Sequence, residues 1–499
     1  MDLQARLPWG DLVIAAVAGA AGVAGSFLLA GPTEGFVVVP VNAFVVDNMP
    51  DVILTLSIVY LGKLGELIGF ALATATVVAL LGAAAAAAGR VGAIDHPAKV
   101  GAVTAAWCAG IAFLLAGARD PALVAGVAAG AVAGALDYHD RPGFDPESRR
   151  KALVALGGVA GFGVVSYLLG TRAHGKATRD LAETTGWDDQ RAATVRREIR
   201  SALAEAEERS LDVDGLGGLV TPIAEHYEVD INYLDPKLDP SGWELSVTGE
   251  VAEEFSVTYD EIVGMEPEHR FITLRCVSDP VNGDLIGTAL WTGIPIERLL
   301  DRAEPQGNFV VLRSQDDYYV EVPIEAIEGG FLAYGMNGSA LPADHGYPLR
   351  AHVLGHYGEV NAKWLTEIDV TQSEVVGYWE KRGWQGTGPV NTVAKIDTVN
   401  KFDDGRARIA GHAYAGLDDI RAVEVSTDGG ETWAEARLGD PLPGRDTWRQ
   451  WVHEWTPPSE RRRVFARVVH GDGSVQTREK QTPQPSGATG WANTFVEGN

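Results

Sequence analysis

Long uncharged runs of Ala, Gly, Val and Leu fill the first third of this chain and constrain its fold more than any other feature. A run of about twenty apolar residues can cross a bilayer, and it must do so as a helix, because hydrocarbon offers backbone groups no other partners. Spans are expected at Leu12–Leu29, Leu67–Ala88, Val100–Ala116, Ala122–Leu136 and Ala152–Leu169. Phe36–Val46 and Val52–Leu61 flank Asp47, Asn48, Met49, Pro50 and Asp51. Each is too short to span and reads as an interfacial or re-entrant segment; a six-span bundle that recruits Val52–Leu61 is the alternative. Small residues four apart, such as Gly157 and Gly161, permit close helix packing. Lys63 and Glu66 read as a neutralised pair at the interface. His96, His139 and His174 fall in connecting loops, so this reading offers no histidine at membrane depth to a b-type haem. The bundle reads as an anchor or docking platform.

The Lys/Arg bias sets an orientation. Arg90 and Lys99 follow the second span, and Arg141, Arg149, Arg150 and Lys151 follow the fourth, whereas the loop after the first span carries Glu34, Asp47 and Asp51. Five spans with the basic loops inside place the C-terminal half outside the cell membrane. Ser148-Arg149-Arg150-Lys151 before an apolar run resembles a twin-arginine export signal internal to the chain.

At 499 residues the chain is multidomain. Its net charge of -26, with no basic patch, argues against nucleic acid as a partner and suits a high-salt habitat. The two cysteines, Cys108 in an apolar run and Cys276 far beyond it, do not read as a pair. They are too few to ligate an iron–sulfur cluster, and no Cys-x-x-Cys-His offers a c-type haem site.

Beyond the apolar third, Arg172–Leu219 reads as a polar connector whose segment Trp187–Ser210 is a surface or spacer helix. From Thr221 the pattern is mixed: strands at Trp243–Val251, Asn308–Arg313 and Tyr318–Val322, and a short helix at Ile294–Ala303. After Gln385 only short strands and turns remain. Ile420–Thr427 runs into Asp428-Gly429-Gly430 and returns through Trp433, and Val464–His470 ends at Gly471-Asp472-Gly473. This reads as a β-sandwich of immunoglobulin-like topology. Asp428 and Glu431 read as turn acids rather than Ca²⁺ ligands.

The chemistry is expected at Phe271–Gly293. Alternating apolar residues run to Cys276, where a buried strand hands over to a loop rich in turn formers: Asp279, Pro280, Asn282, Gly283 and Asp284. A thiol there is either a small core residue or a ligand on a rigid support. Arg275-Cys276-Val277, the loop and Trp291-Thr292-Gly293-Ile294-Pro295 resemble the sulfite oxidase family of molybdenum enzymes. Leu332–Gly338, Leu341-Pro342, His345–Arg350 and Asn361–Leu365 come after them in that family's order. The resemblance implies a molybdenum-molybdopterin cofactor with Cys276 as catalytic thiolate and metal ligand. It places Asn232, Ser314, His345, Arg350, Asn361 and Lys363 at cofactor-binding positions, the last four gripping the pterin and its phosphate.

The expected fold is therefore an α-helical membrane bundle (1–171), a polar helical linker (172–219), an α+β molybdopterin domain (220–384) and an immunoglobulin-like β-sandwich (385–499), the last of a kind that family often uses to dimerise. Because molybdopterin is inserted in the cytoplasm, a folded-protein export route would match the twin-arginine pattern. The resemblance is broken where sulfite oxidases surround their anionic substrate with cations. Cys276 is followed by Val277-Ser278-Asp279, Asp230 stands where an Arg is expected, and Arg382-Gly383-Trp384-Gln385 replaces a Tyr-bearing run. A neutral oxo compound, such as a sulfoxide or N-oxide, fits better than sulfite. Electrons would pass to a separate protein or a quinone-linked partner. The rival from another class is a cofactor-free cell-surface binding or assembly module on the same scaffold.

Overall fold

The computed structural model describes residues 9–31, 33, 35–50, 53, 57, 61, 63–90, 96–138, 154, 157–167, 179–231, 235–236 and 238–497. The chain divides into two compact units, Met1–Ala177 with Asn232–Lys237, and Thr178–Ile231 with Leu238–Asn499.

The first unit is helical: Trp9–Ala30, Val39–Asp47, Lys63–Ala88, Pro97–Ala116, Arg119–Tyr138 and Gly157–Tyr167. Four of these contain segments long and apolar enough to cross a membrane: Leu12–Ala30, Leu67–Ala88, Pro97–Ala116 and Arg119–Leu136. They share a core of small and aliphatic residues that includes Val77, Leu81, Cys108, Ala125 and Ala129, and they turn Leu72, Leu114 and Val127 outward. Close packing comes from glycines other than the expected pair. A Cβ on Gly130 would stand 2.4 Å from the Gly101 carbonyl oxygen, and one on Gly126 2.3 Å from that of Ala105. Gly157 and Gly161 meet nothing within 4 Å among the described residues. Four-residue spacing marks small faces, but only a facing helix makes one a contact. Val39–Asp47, at 9 residues, is too short to span. Part of the fifth expected span, the Arg149–Arg150 pair and the side chains of Lys63 and Glu66 lie outside the described residues.

The second unit absorbs the polar segment expected to be a linker. Helix Asp189–Arg209 is capped by Asp188 and buries Ala192, Val195, Ile199 and Ala206, a stripe at helical spacing on an otherwise charged helix. The Trp187 indole donates to the Val263 carbonyl at 2.7 Å. At the other end, Trp448 donates to Leu219 O at 2.8 Å and Gln450 to Gly217 O at 2.6 Å. These bonds fasten the segment to the rest of the second unit at both ends, so it is no free spacer.

Two sheets build the central region. One orders β2 (Phe255–Thr258), β1 (Glu244–Gly249), β10 (Leu365–Thr371), β5 (Phe309–Ser314) and β6 (Tyr319–Pro323), with β1 and β10 parallel. The other orders β3 (Glu268–Arg275), β4 (Ile286–Pro295), β7 (Phe331–Met336) and β8 (Ser339–Ala340), with β9 (Arg350–His352) also paired to β7. Strand β4 runs through Pro295, so the helix expected from Ile294 starts only at Glu297. The β3–β4–β7 core is Ile272, Leu274, Ala289, Trp291, Phe331 and Ala333.

The C-terminal region holds two antiparallel sheets. One orders β11 (Val393–Ala394), β13 (Ala407–Tyr414), β17 (Arg449–Trp455) and β16 (Arg437–Leu438), with β12 (Thr398–Lys401) also on β13. The other orders β15 (Ala434–Glu435), β14 (Ile420–Ser426), β18 (Arg462–His470) and β19 (Ala492–Val496). Ile409 and Trp451 of one sheet and Val423, Val464 and Val468 of the other share a single core. Asp428 caps its own turn, accepting from the Glu431 and Thr432 amides at 2.9 and 3.0 Å, as expected of a plain turn acid.

Candidate functional site

Cys276 comes directly after the last residue of β3, and its amide donates to Leu285 O at 2.9 Å. The loop it opens is less exposed than its composition implies, because Cys276, Val277, Ser278 and Asp279 are all buried. Two observations explain this. Arg275 and Asp279 form an ion pair at 3.0 Å with both side chains inaccessible, and the Arg275 guanidinium also reaches Asn391 O at 2.7 Å. The C-terminal region tethers the loop beyond this pair, where Asn282 accepts from the Ile396 amide at 3.0 Å and Lys395 pairs with Asp284 at 2.8 Å, while the tip itself stays exposed. The Cys276 sulfur lies 3.1 Å from Ser278 Oγ. Burial pushes its thiol up to about 11, so the side chain is neutral until a metal withdraws the proton.

The second group of residues comes from β4, β9 and the loop before β9. Arg350 opens β9 and is buried, with NH1 donating to His345 O at 3.2 Å and NH2 to Asn361 O at 3.0 Å. Its guanidinium stands 5.0 Å over the Trp291 ring, and no carboxylate pairs with it among the described residues. Burial pulls its pKa down to about 10. The chain turns tightly enough to bring His345 and Lys363 up to it because residue 346 is glycine: φ is +107°, and a Cβ would meet Lys363 Cβ at 3.0 Å and Arg350 Cβ at 3.1 Å.

Three histidines surround this cation. His226 stacks edge-on with His345 at 5.3 Å, and His352 lies 4.3 Å from Trp291. Burial, reinforced by neighbouring charge, pulls His226 down to about 4 and His345 to about 3, and holds His352 well below its ordinary value. All three are neutral at physiological pH. Sequence reasoning missed His226, His352 and Trp291. His352 has one local signal, two residues beyond Arg350 on the same strand; Trp291 reaches the site through β4, and His226 by packing on β4, 5.9 Å from Trp291.

The remaining expected residues divide. Ser314 is buried at the end of β5, and its hydroxyl has no hydrogen-bond partner among the described residues. Lys363 pairs with Asp230 and donates to Asp344 O at 2.8 Å. Asp230 is thus not a bare negative charge that would repel an anion, since Lys363 matches it. Asn361 is buried with its amide turned into its own loop, donating to Tyr357 O at 2.9 Å and accepting from the Val353 amide at 2.7 Å. Its side chain shapes the loop, and its carbonyl holds Arg350. Asn232 lies outside the described residues. Tyr227 lies between the two groups: its ring stacks on His226 at 5.4 Å, and burial beside Cys276 holds its hydroxyl well above the ordinary range, with Arg350 opposing.

Buried polar atoms without partners mark what this site lacks. They include His345 Nε2, both ring nitrogens of His352, Arg350 Nε and Ser314 Oγ. Each orphan costs about 1–3 kcal/mol. A buried guanidinium without a counter-ion, flanked by imidazole and hydroxyl groups, has the donor chemistry of a phosphate site, and Cys276 offers a soft thiolate for a metal. The residues present therefore fit a phosphate-bearing pterin cofactor that carries a metal: Arg350 would meet its phosphate and Cys276 would supply a sulfur ligand.

Residues 232–379 match the family model of the oxidoreductase molybdopterin binding domain. Sulfite oxidase of Gallus gallus is 28% identical over 277 residues, 45% of this chain and 60% of that protein. Mitochondrial sulfite oxidase of Mus musculus is 29% identical over 300 residues, 48% of this chain and 54% of that one. NADH nitrate reductase of Solanum lycopersicum is 26% identical over 288 residues, 45% of this chain and 32% of that protein. This chain thus spans a third to three fifths of the curated relatives it matches. Among solved structures, the sulfane dehydrogenase SoxCD of Paracoccus pantotrophus aligns with TM-score 0.49 at 20% identity, over 56% of this chain and 82% of that chain. The domain match and the sequence relatives agree with the donor chemistry: the central region of the chain is a molybdopterin-binding oxidoreductase domain of the sulfite oxidase family, and molybdopterin is the cofactor it implies.

Proposed function

We propose that this chain is a membrane-anchored molybdopterin-dependent oxidoreductase that moves an oxygen atom to or from a small substrate other than sulfite. The observation that carries the reading is Arg350, a buried cation with no carboxylate partner among the described residues, set among unpartnered polar groups with Tyr227 between it and Cys276. When bound, the cofactor supplies a metal that changes by two electrons as oxygen is transferred. An oxo substrate would take up two electrons and two protons and leave as its deoxygenated form and water; the reverse reaction would release them. Arg350, His345 and Ser314 would hold the phosphate, and Cys276 would ligate the metal from a loop fixed by the Arg275–Asp279 pair. A neutral oxo compound is supported over sulfite by the buried Trp384, which stands in the run where the resemblance expects a Tyr-bearing sequence, and by the engagement of Arg275 and Lys363 with Asp279 and Asp230.

The four long apolar helices support a multi-pass anchor; the placement of the catalytic half outside the cytoplasm requires the fifth expected span at Ala152–Leu169 as well, and rests on the Lys/Arg bias of the connecting loops. In this reading the two C-terminal sheets form an immunoglobulin-like sandwich suited to homodimerisation, and a separate protein or quinone-linked partner exchanges electrons. The test is cofactor analysis of the purified full chain. Pterin and molybdenum in the wild type, with both lost in Arg350→Ala, support the reading. A wild type without either, made in a host that synthesises the cofactor, would leave the cofactor-free binding module as the better account. A screen of sulfoxides, N-oxides and sulfite with a reduced or oxidised dye then identifies the substrate.

A further inference from the structure

We propose that Glu228, Asp344 and His345 bind a divalent metal ion that joins the protein to the cofactor phosphate. The proposal deepens the reading of Arg350 as the phosphate's partner and rests on it. One carboxylate oxygen from each acid and one ring nitrogen of His345 lie within 4.8 Å of one another. Ligands bound at about 2.1 Å on opposite sides of such an ion stand roughly 4.2 Å apart, so small side-chain movements close the set.

The backbone holds two of the three ligands in place. Asp344 and His345 sit in the single 3-10 turn Ala343–His345, directly before Gly346. Lys363 Nζ donates to Asp344 O and the Trp364 indole to Ala343 O, each at 2.8 Å, which pins the turn from outside. Asp344 and His345 are 5% and 2% exposed. Glu228 is half-buried and follows His226 and Tyr227 in the chain; the His226 ring meets His345 edge-on at 5.3 Å. His345 Nε2 is buried and has no hydrogen-bond partner among the described residues, so the imidazole comes to the cluster with a nitrogen still to be satisfied.

The cluster borders the place assigned to the phosphate, because Arg350 NH1 donates to His345 O at 3.2 Å. A phosphate drawn to Arg350 would therefore stand near the Asp344 and Glu228 carboxylates, and like charges repel strongly where water is scarce. Lys363 is already engaged with Asp230. A divalent cation between phosphate and carboxylates turns the repulsion into shared ligation, and His345 then grips the phosphate through the ion. The donors select its class. Carboxylate and phosphate oxygens are hard ligands that suit magnesium or manganese, and the one imidazole nitrogen favours manganese(II).

The test is titration of the detergent-purified full chain, first stripped of loosely held metal by a chelator, with manganese(II) chloride, while electron paramagnetic resonance follows the free ion. The expected result is one tightly bound ion per pterin-loaded chain, with a phosphorus-31 coupling in its electron–nuclear double resonance spectrum. Affinity should weaken at least tenfold in Glu228→Gln and, separately, in Asp344→Asn. Circular dichroism confirms that each isosteric variant is folded, and Glu228→Gln, at the less buried position, carries the test if Asp344→Asn does not fold. No tight ion in the loaded protein, unchanged affinity in a folded variant, or a bound ion without phosphorus coupling would each overturn the proposal. Pterin and molybdenum content, measured on the same preparations, separates the two readings. A loaded protein without a manganese site refutes the metal bridge alone, and a protein without pterin refutes the cofactor reading beneath it.

Discussion

Arg275→Met should destabilise the second unit more than any exposed substitution. The Arg275–Asp279 pair has side-chain accessibilities of 0% and 2%. Removing the guanidinium leaves a buried carboxylate uncompensated, which costs about 3–5 kcal/mol. The bond from Arg275 to Asn391 O is lost as well. Asp279→Asn retains an oxygen for the Leu285 amide, now 3.0 Å away, but leaves a buried cation, at a cost of the same order. The double variant has no buried charge at this point, so its loss should fall short of the summed singles by roughly 2–3 kcal/mol. For a unit of this size each single variant should lower the thermal midpoint by on the order of 10 °C. The assay is thermal unfolding of the four proteins in one detergent, with molybdenum content measured in parallel. Because the pair fixes the loop that presents Cys276, metal content should fall with the singles and recover in part in the double. Losses that simply add, or singles no less stable than wild type, would refute the staple.

The same geometry bears on three other positions. Arg350→Met should weaken cofactor retention by about 2–5 kcal/mol, a thirty- to several-thousandfold loss seen as pterin released on gel filtration. It should leave the cofactor-free fold at least as stable, since it removes an unpaired buried charge. Asp446 joins the two sheet regions, accepting from Tyr414 OH at 2.5 Å and from the Gly355 amide at 2.8 Å. Burial raises its pKa from 3.8 to about 6. Its folded pKa lies above the unfolded one, so its contribution is full below about pH 4 and declines as pH rises through 6. Relative to Asp446→Asn, wild-type stability should drop by roughly 3 kcal/mol between pH 4 and 7, measured by denaturation at each pH. Gly130→Val should disrupt the helix pair of the first unit, because even a Cβ would stand 2.4 Å from the Gly101 oxygen. A loss of about 1–3 kcal/mol should appear as earlier unfolding of the helical unit, with the sheet unit unchanged.

Local sequence carried much of this architecture. The four long apolar helices, the strands of both regions and the Asp428 turn are written in periodicity and turn chemistry, which depend on near neighbours. Cys276, His345, Arg350 and Lys363 stood out because short blocks around them keep their order. The rest depends on partners distant in the chain. Nothing local says that Lys363 is matched by Asp230, that Asn361 turns its amide inward, or that Glu228 comes up to His345. The polar connector misled because a four-residue stripe of Ala, Val and Ile is weak against the charge around it. The exposed-looking Cys276 loop misled because the groups that tie it down, Asn391 O on Arg275 and the Ile396 amide on Asn282, arrive more than a hundred residues later.

X-ray absorption at the molybdenum edge, on wild type and Cys276→Ser purified from a cofactor-producing host, tests the central claim most directly. The account predicts molybdenum in a sulfur-rich shell in the wild type, and one sulfur neighbour fewer in the variant with the pterin still present. An unchanged sulfur shell in the variant, or a wild type without molybdenum, would contradict it.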